Sequence, residues 1–311
     1  MQQSEVRAQG YLGLVLTAYK MGAMIVAIMF NVNATPPDRK LRIAVIQSCA
    51  SPDVTATLER LREQIRTAAL AGAQLIALPE ACEFLHPDNA AFETHARVPA
   101  EHPAVQALSQ AASQASAWLL AGSLSVRASN GKLANRSFVF SPGGDIRATY
   151  DKINLFDAAP GEKETLESRV YERGSTASVV DLGLARLGLS ICYDLRFPQL
   201  YRALAQAGAQ LLMVPAAFMQ VTGEAHWHAL LRARAIETGC FVVAAAQCGV
   251  PHPGRASYGH SLVVGPWGDV LAEAGTEPCV LIADLDLTQI DQARRRIPSI
   301  HQDYSFKVIT S

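Results

Sequence analysis

The stretch Gly188-Leu189-Ser190-Ile191-Cys192-Tyr193-Asp194-Leu195-Arg196-Phe197-Pro198 constrains this chain more than any other. The mostly apolar run Ala185 to Ile191 reads as a buried strand, and it stops at a cysteine followed by polar residues and proline. Cys192 therefore belongs at a strand end. In α/β proteins that is where side chains leave the packed interior and face a crevice. Two other runs finish the same way. Leu75-Ile76-Ala77-Leu78-Pro79 delivers Glu80, with the proline blocking further ladder pairing, and Ile146 to Tyr150 leads into Asp151-Lys152.

The elements between these points alternate. Leu41 to Gln47 reads as a strand, and Ser51-Pro52-Asp53 opens a helix, with serine as N-cap and proline at the first helical position. Val54, Leu58, Leu61, Ile65 and Ala69 carry the helical spacing, and Gly72 ends it. A helix follows His102-Pro103; strands run from Trp118 to Leu124 and over Phe138 to Phe140, with Asn130-Gly131 as a hairpin turn. Val179 to Leu182 and Ala185 to Ile191 form a hairpin. Further on lie helices Pro198 to Ala207 and Glu224 to Thr238, strands Gln210 to Val214, Phe241 to Ala246, Tyr258 to Val264, Val270 to Ala274 and Val280 to Ala283, and a final helix through Leu287, Ile290 and Ile297. Hairpins interrupt the strand–helix alternation, so the pattern predicts an α/β protein of mixed sheets covered by helices.

Half of the residues are hydrophobic, enough for a substantial core, and the formal net charge of −1 excludes a basic nucleic-acid surface. Six scattered cysteines with no CxxC pair exclude a disulfide framework and point to a reducing, cytoplasmic setting. His226-Trp227-His228 hints at a metal, but no neighbouring carboxylate–histidine pattern completes a site, so neither metal nor cofactor is expected.

Residues 1–40 read as an N-terminal extension of different character. Tyr11 to Phe30 is apolar over a length that reaches across a bilayer, interrupted by Lys20. A loose extension, or a start at Met21, Met24 or Met29, explains it best; a membrane anchor and a signal segment are the alternatives. Residues 41–300 form the folded domain, and 301–311 a tail.

Glu80, Lys152 and Cys192 together suit nucleophilic catalysis. A thiol with a pKa near ~8.5 is mostly protonated at neutral pH and needs a base or cation beside it. Glu80 serves as base. Lys152 favours thiolate and stabilises the oxygen that turns negative when sulfur attacks a carbonyl or nitrile carbon, with the Tyr193 backbone N–H as second donor.

The three segments Leu78-Pro79-Glu80, Tyr150 to Asp157 and Ile191 to Pro198 together resemble the nitrilase, or carbon–nitrogen hydrolase, superfamily, from about Leu41 to Ile300. The resemblance implies a four-layer α-β-β-α sandwich, usually dimerised, with Glu80 as base, Lys152 as oxyanion stabiliser and Cys192 as nucleophile. It also implies an assisting glutamate after the lysine, for which Glu167 is the best match and Glu162 and Glu164 weaker ones. Pro215 to Phe218, Thr222 to Trp227, Leu230 to Glu237 and Tyr258 to Ser261 look most like the deaminated glutathione amidase branch, with omega-amidase as its sister. His228, where that group often has glutamate, and Asn154, where histidine is frequent, depart from the pattern.

The expected activity is a cofactor-free amidase acting on a small carboxylated amide through a thioester on Cys192. Omega-amidase, carbamoylase and nitrilase use of the same triad are alternatives, as is a non-catalytic binding protein. A Cys-His hydrolase would need His260. Arg196, Phe218 and Thr222 are candidate substrate contacts. Arg232 and Arg234 read as partners of acids on the surface or at a dimer interface, Glu83 as solvating its loop, and Cys82 and Cys240 as core.

Overall fold

The computed structural model describes residues 14–21, 24–31, 39–128, 130–158 and 165–310. The chain divides into two compact units, Met1–Arg39 and Lys40–Ser311. Of the first, the backbone forms a hairpin of strands Leu14–Met21 and Met24–Asn31, paired antiparallel with Leu14 opposite Asn31. The described part of the apolar segment is thus two strands and not one spanning helix. Among the described residues no helix is long and apolar enough to cross a membrane.

The second unit holds two six-stranded sheets built to one plan. In the first, the order is Cys279–Asp286, Lys40–Gln47, Leu75–Ala77, Trp118–Arg127, Leu133–Phe140 and Ile146–Asp151. In the second it is Val179–Asp181, Arg186–Leu189, Leu211–Met213, Phe241–Ala244, Leu262–Val264 and Val270–Glu273. Each sheet has a parallel centre and antiparallel flanks.

Strand alternation builds the layers. Ile43, Val45, Leu75 and Ala77 face the second sheet's Leu187, Leu189, Leu211 and Met213, while Ala44, Ile46, Ile76 and Leu78 face the helices Val54–Leu70 and Pro103–Ala115. The second sheet is covered by Pro198–Gln206 and Gln220–Thr238, whose Tyr201, Leu204, Trp227, Leu231 and Ala235 join the same core as the sheet interface. The expected α-β-β-α sandwich is the observed one.

Local departures have local causes. The first helix starts at Val54, capped by Asp53, whose carboxylate accepts from Ala56 N at 3.0 Å; Ser51 instead hydrogen-bonds with Asp53 N and Thr57. The strand expected over Tyr258 to Val264 is broken, because Gly259 and His260 adopt φ of +74° and +53°, leaving Arg255–Tyr258 and Leu262–Val264 as separate strands.

Candidate active site

Three strand ends meet where the two sheets face each other. Past Leu75–Ala77 the chain continues through Pro79 to Glu80, which is 6% exposed. The strand alongside passes through Gly122, where a Cβ would collide with the Leu78 carbonyl and with Pro215 of the other sheet; only glycine permits that approach. Past Ile146–Asp151 comes Lys152, 2% exposed. Past Arg186–Leu189 comes Cys192, first residue of the 3-10 turn Cys192–Arg196, with φ of +48°. A non-glycine residue in left-handed conformation costs roughly 1–2 kcal/mol, and strain of this kind clusters at working sites.

The ammonium of Lys152 donates to Glu80 Oε1 at 2.8 Å and to Glu167 Oε2 at 2.8 Å. Asn135 Nδ2 bridges the same two acids, at 3.0 Å to Glu80 and 2.8 Å to Glu167. The second Glu80 oxygen accepts from Ala217 N at 2.9 Å, and the Cys192 thiol lies beside the same carboxylate. Glu167 also accepts from Phe156 N at 2.7 Å.

These contacts fix the protonation states. Burial works to raise the Glu80 carboxyl, but the Lys152 charge and the bonds from Lys152, Cys192 and Ala217 outweigh it and hold the group below the usual carboxylate range. For Lys152 burial works downward, and the Glu167 and Glu80 carboxylates outweigh it, keeping the ammonium well above its ordinary value. Burial and then the Glu80 charge push the Cys192 thiol well above its ordinary value, against Lys152 and the Ala217 N–H. The resting cluster is therefore an ionised glutamate, an ammonium and a neutral thiol. Lys152 alone does not make a thiolate.

A second network places Cys192. Asp194, fully buried, accepts from Tyr150 OH at 2.7 Å, Asn154 N at 3.0 Å, Asn154 Nδ2 at 2.8 Å and Ile191 N at 2.9 Å. It thus ties the lysine loop to the cysteine turn, and Asn154 is a built part of that tie. Burial, then Asp194, raise the Tyr150 hydroxyl pKa and keep it a donor.

Around the nucleophile stand aromatic groups. Tyr193 meets Phe156 at 5.0 Å and Phe197 at 5.4 Å. Half-buried Arg196 lies over the Tyr193 and Phe218 rings, at 5.9 and 5.4 Å, with His226 Nδ1 3.3 Å away; among the described residues no carboxylate pairs with it. Phe218 rests on Trp227 at 4.9 Å, whereas the Thr222 hydroxyl donates to the Met219 carbonyl and has no described contact with the triad.

Other expectations change. Glu83 is 1% exposed, not solvated: Oε1 accepts from Ser125 N and Oε2 has no partner among the described residues. Arg234 is 5% exposed, its guanidinium donating twice to the Leu195 carbonyl and pairing with Glu237, so it braces the nucleophile turn and is no surface arginine; exposed Arg232 donates to Gly268. Cys82 and Cys240 are core, as expected. His260 pairs with Glu273 at 2.9 Å, while Cys192 lies beside Glu80, which removes the Cys-His reading. Histidine–carboxylate clusters do form, at Glu83, His95 and His102 and around His228, the second from residues well separated in sequence. Neither contains a triad residue. Glu162 and Glu164 lie outside the described residues. Asn135 and Asp194 were not singled out by sequence reasoning; the available signal was a polar stretch, Asn135-Arg136-Ser137, inside a strand with apolar ends and an acid beside Cys192.

A buried thiol against an ionised carboxylate and an ammonium is the kind of arrangement a cysteine hydrolase with a carboxylate base requires. The carbon–nitrogen hydrolase pattern matches residues 42–295, and the chain belongs to that family. It is 43% identical over 263 residues to deaminated glutathione amidase of Homo sapiens, covering 82% of this chain and 80% of that one. With omega-amidase NIT2 of Homo sapiens it shares 39% over 267 residues, 85% of this chain and 95% of that one. Among solved structures, the C. elegans NitFhit protein superposes with a TM-score of 0.79 at 35% identity, over 85% of this chain and 65% of that longer one. Saccharomyces cerevisiae Nit3, of the nitrilase superfamily, gives 0.76 at 30%, over 83% and 94%.

Proposed function

We propose that this enzyme is an amidase that hydrolyses a small carboxylated amide, deaminated glutathione foremost, through a thioester on Cys192. One observation carries the reading: the ammonium of Lys152 is shared between Glu80 and Glu167 while the Cys192 thiol lies beside Glu80. Glu80 takes the thiol proton as sulfur bonds to the amide carbon, and the carbonyl electron pair moves onto oxygen. Lys152 and the Tyr193 N–H stabilise that oxyanion. As the C–N bond breaks, Glu80 returns the proton to nitrogen and ammonia leaves. Glu80 then takes a proton from water, whose oxygen attacks the thioester; the C–S bond breaks and the thiol recovers its proton. While Glu80 is neutral, Glu167 remains as counter-charge to Lys152, so the cation persists through the cycle.

Arg196 suits the substrate carboxylate, because it lies close after Cys192, near two aromatic faces, and no acid pairs with it among the described residues. The names of the relatives support both a peptide-like amide and the smaller omega-amide acids. On this reading the protein works as a homodimer in the cytoplasm, on a free small molecule. Ammonia release from deaminated glutathione and 2-oxoglutaramate, measured side by side, tests it. The expected result is preference for the former; preference for the latter would assign omega-amidase, and release from neither would overturn the reading.

A further inference from the structure

The histidine pair flagged in the sequence at 226 and 228 finds its complement elsewhere in the chain. His228, in the helix Gln220–Thr238, meets His260, in the left-handed break between two strands, and Glu273, which ends the strand Val270–Glu273. His228 Nε2 and His260 Nδ1 each lie 2.9 Å from the same oxygen, Glu273 Oε1, and the three ligand atoms are all within 4.8 Å of one another. Two ligands bound at ~2.0–2.2 Å to one divalent ion stand roughly 3 Å apart, so these donors need little movement to share an ion.

The arrangement is held from behind. Tyr258 stacks on His260 at 4.4 Å and meets His228 edge-on at 6.1 Å, and the Trp227 indole N–H donates to the His260 carbonyl at 2.8 Å. The positive φ of His260 aims the ring away from the strand direction. The side chains of His228, His260 and Glu273 are 34%, 26% and 37% exposed, which leaves the remaining coordination positions open to water. Two imidazoles and one carboxylate form a donor set of borderline softness, suited to zinc and its neighbours and poorly suited to magnesium or calcium.

We propose that His228, His260 and Glu273 form a binding site for a divalent transition-metal ion, apart from the triad, with water completing the coordination. Trp227, on the helix of His228 and bonded to the His260 carbonyl, also carries Phe218, so the ion braces the wall on which Arg196 lies.

The test is a Co2+ titration of the full chain after chelator treatment, followed by visible absorption. The expected result is ligand-field bands that saturate at one equivalent without a thiolate charge-transfer band, and that Zn2+ displaces. His228→Ala and Glu273→Gln should each weaken uptake by more than ~10-fold, the cost of losing even an outer-shell partner. Cys192→Ala should leave the bands in place. Cooperative melting in chelator establishes that each variant is folded. Absence of saturable bands would reduce the cluster to hydrogen bonds and overturn the proposal. So would bands that survive in the His228→Ala/Glu273→Gln double variant, which would place the ion elsewhere, or thiolate bands lost in Cys192→Ala.

Discussion

Lys152 Nζ sits 2.8 Å from Glu80 Oε1, both groups nearly buried, and the Cys192 thiol lies beside the same carboxylate. The base is therefore ionised and the nucleophile neutral before substrate arrives. That ordering separates the two limbs of the pH profile. The acid limb follows Glu80, held below the usual carboxylate range, and the alkaline limb follows the Lys152 and Cys192 pair, both held above their ordinary values. We predict a plateau in kcat/KM across neutral pH with no inflection near ~6.5, the ordinary imidazole value. An inflection there would implicate a histidine base. The same depressed carboxyl contributes stability above the ordinary carboxylate range, and this is lost as pH falls through its folded value.

Asn135 carries no charge, yet it donates to both acids that hold Lys152. Asn135→Leu leaves two buried carboxylate oxygens short of a donor. It should cost about 1–3 kcal/mol in chemical denaturation and lower kcat more than it raises KM. An unchanged kcat would make Asn135 purely structural.

Asp194→Asn replaces an acceptor of four donors by a group with only one acceptor oxygen. Stability should fall by about 2–4 kcal/mol, measured by urea unfolding, with turnover falling in parallel because the Cys192 turn is released. Wild-type stability in this variant would contradict the role assigned to the tie.

At φ of +48°, Cys192 adopts a conformation that glycine takes without strain. Cys192→Gly should abolish turnover and be more stable than Cys192→Ala by about 1 kcal/mol. A less stable glycine variant would show that the turn is not strained.

Buried apolar runs that stop on a reactive side chain made the mixed sheets and three candidate functional strand ends legible, whereas the four-layer sandwich and the triad roles came from the resemblance to the carbon–nitrogen hydrolases. Leu78-Pro79-Glu80 and Ile191-Cys192 are two such ends. Asn135 and Asp194 escaped because their function lies in partners distant along the chain; Asp194 meets Tyr150 from 44 positions away. Glu83 looked like a solvated acid because polarity predicts exposure only statistically, and the Ser125 N–H that receives it is invisible in the sequence. The break at Gly259-His260 was hidden in a run whose composition suits a strand, and with it the meeting of His260, His228 and Glu273.

The division of the chain after Arg39 also has a consequence for solution behaviour, since the family pattern begins at residue 42. Removal of residues 1–39 should leave cooperative melting and amidase turnover within about twofold of the full chain. Loss of both would show that the extension belongs to the folded enzyme.

The central claim is that the substrate acyl group passes through the Cys192 sulfur. Mass spectrometry of the protein quenched during turnover of its amide substrate, read together with ammonia release by Cys192→Ala, tests this most directly. The account predicts a hydroxylamine-labile acyl group on the peptide containing Cys192 and no ammonia from the variant. Full turnover in Cys192→Ala, or an acyl group on a different residue, would contradict it.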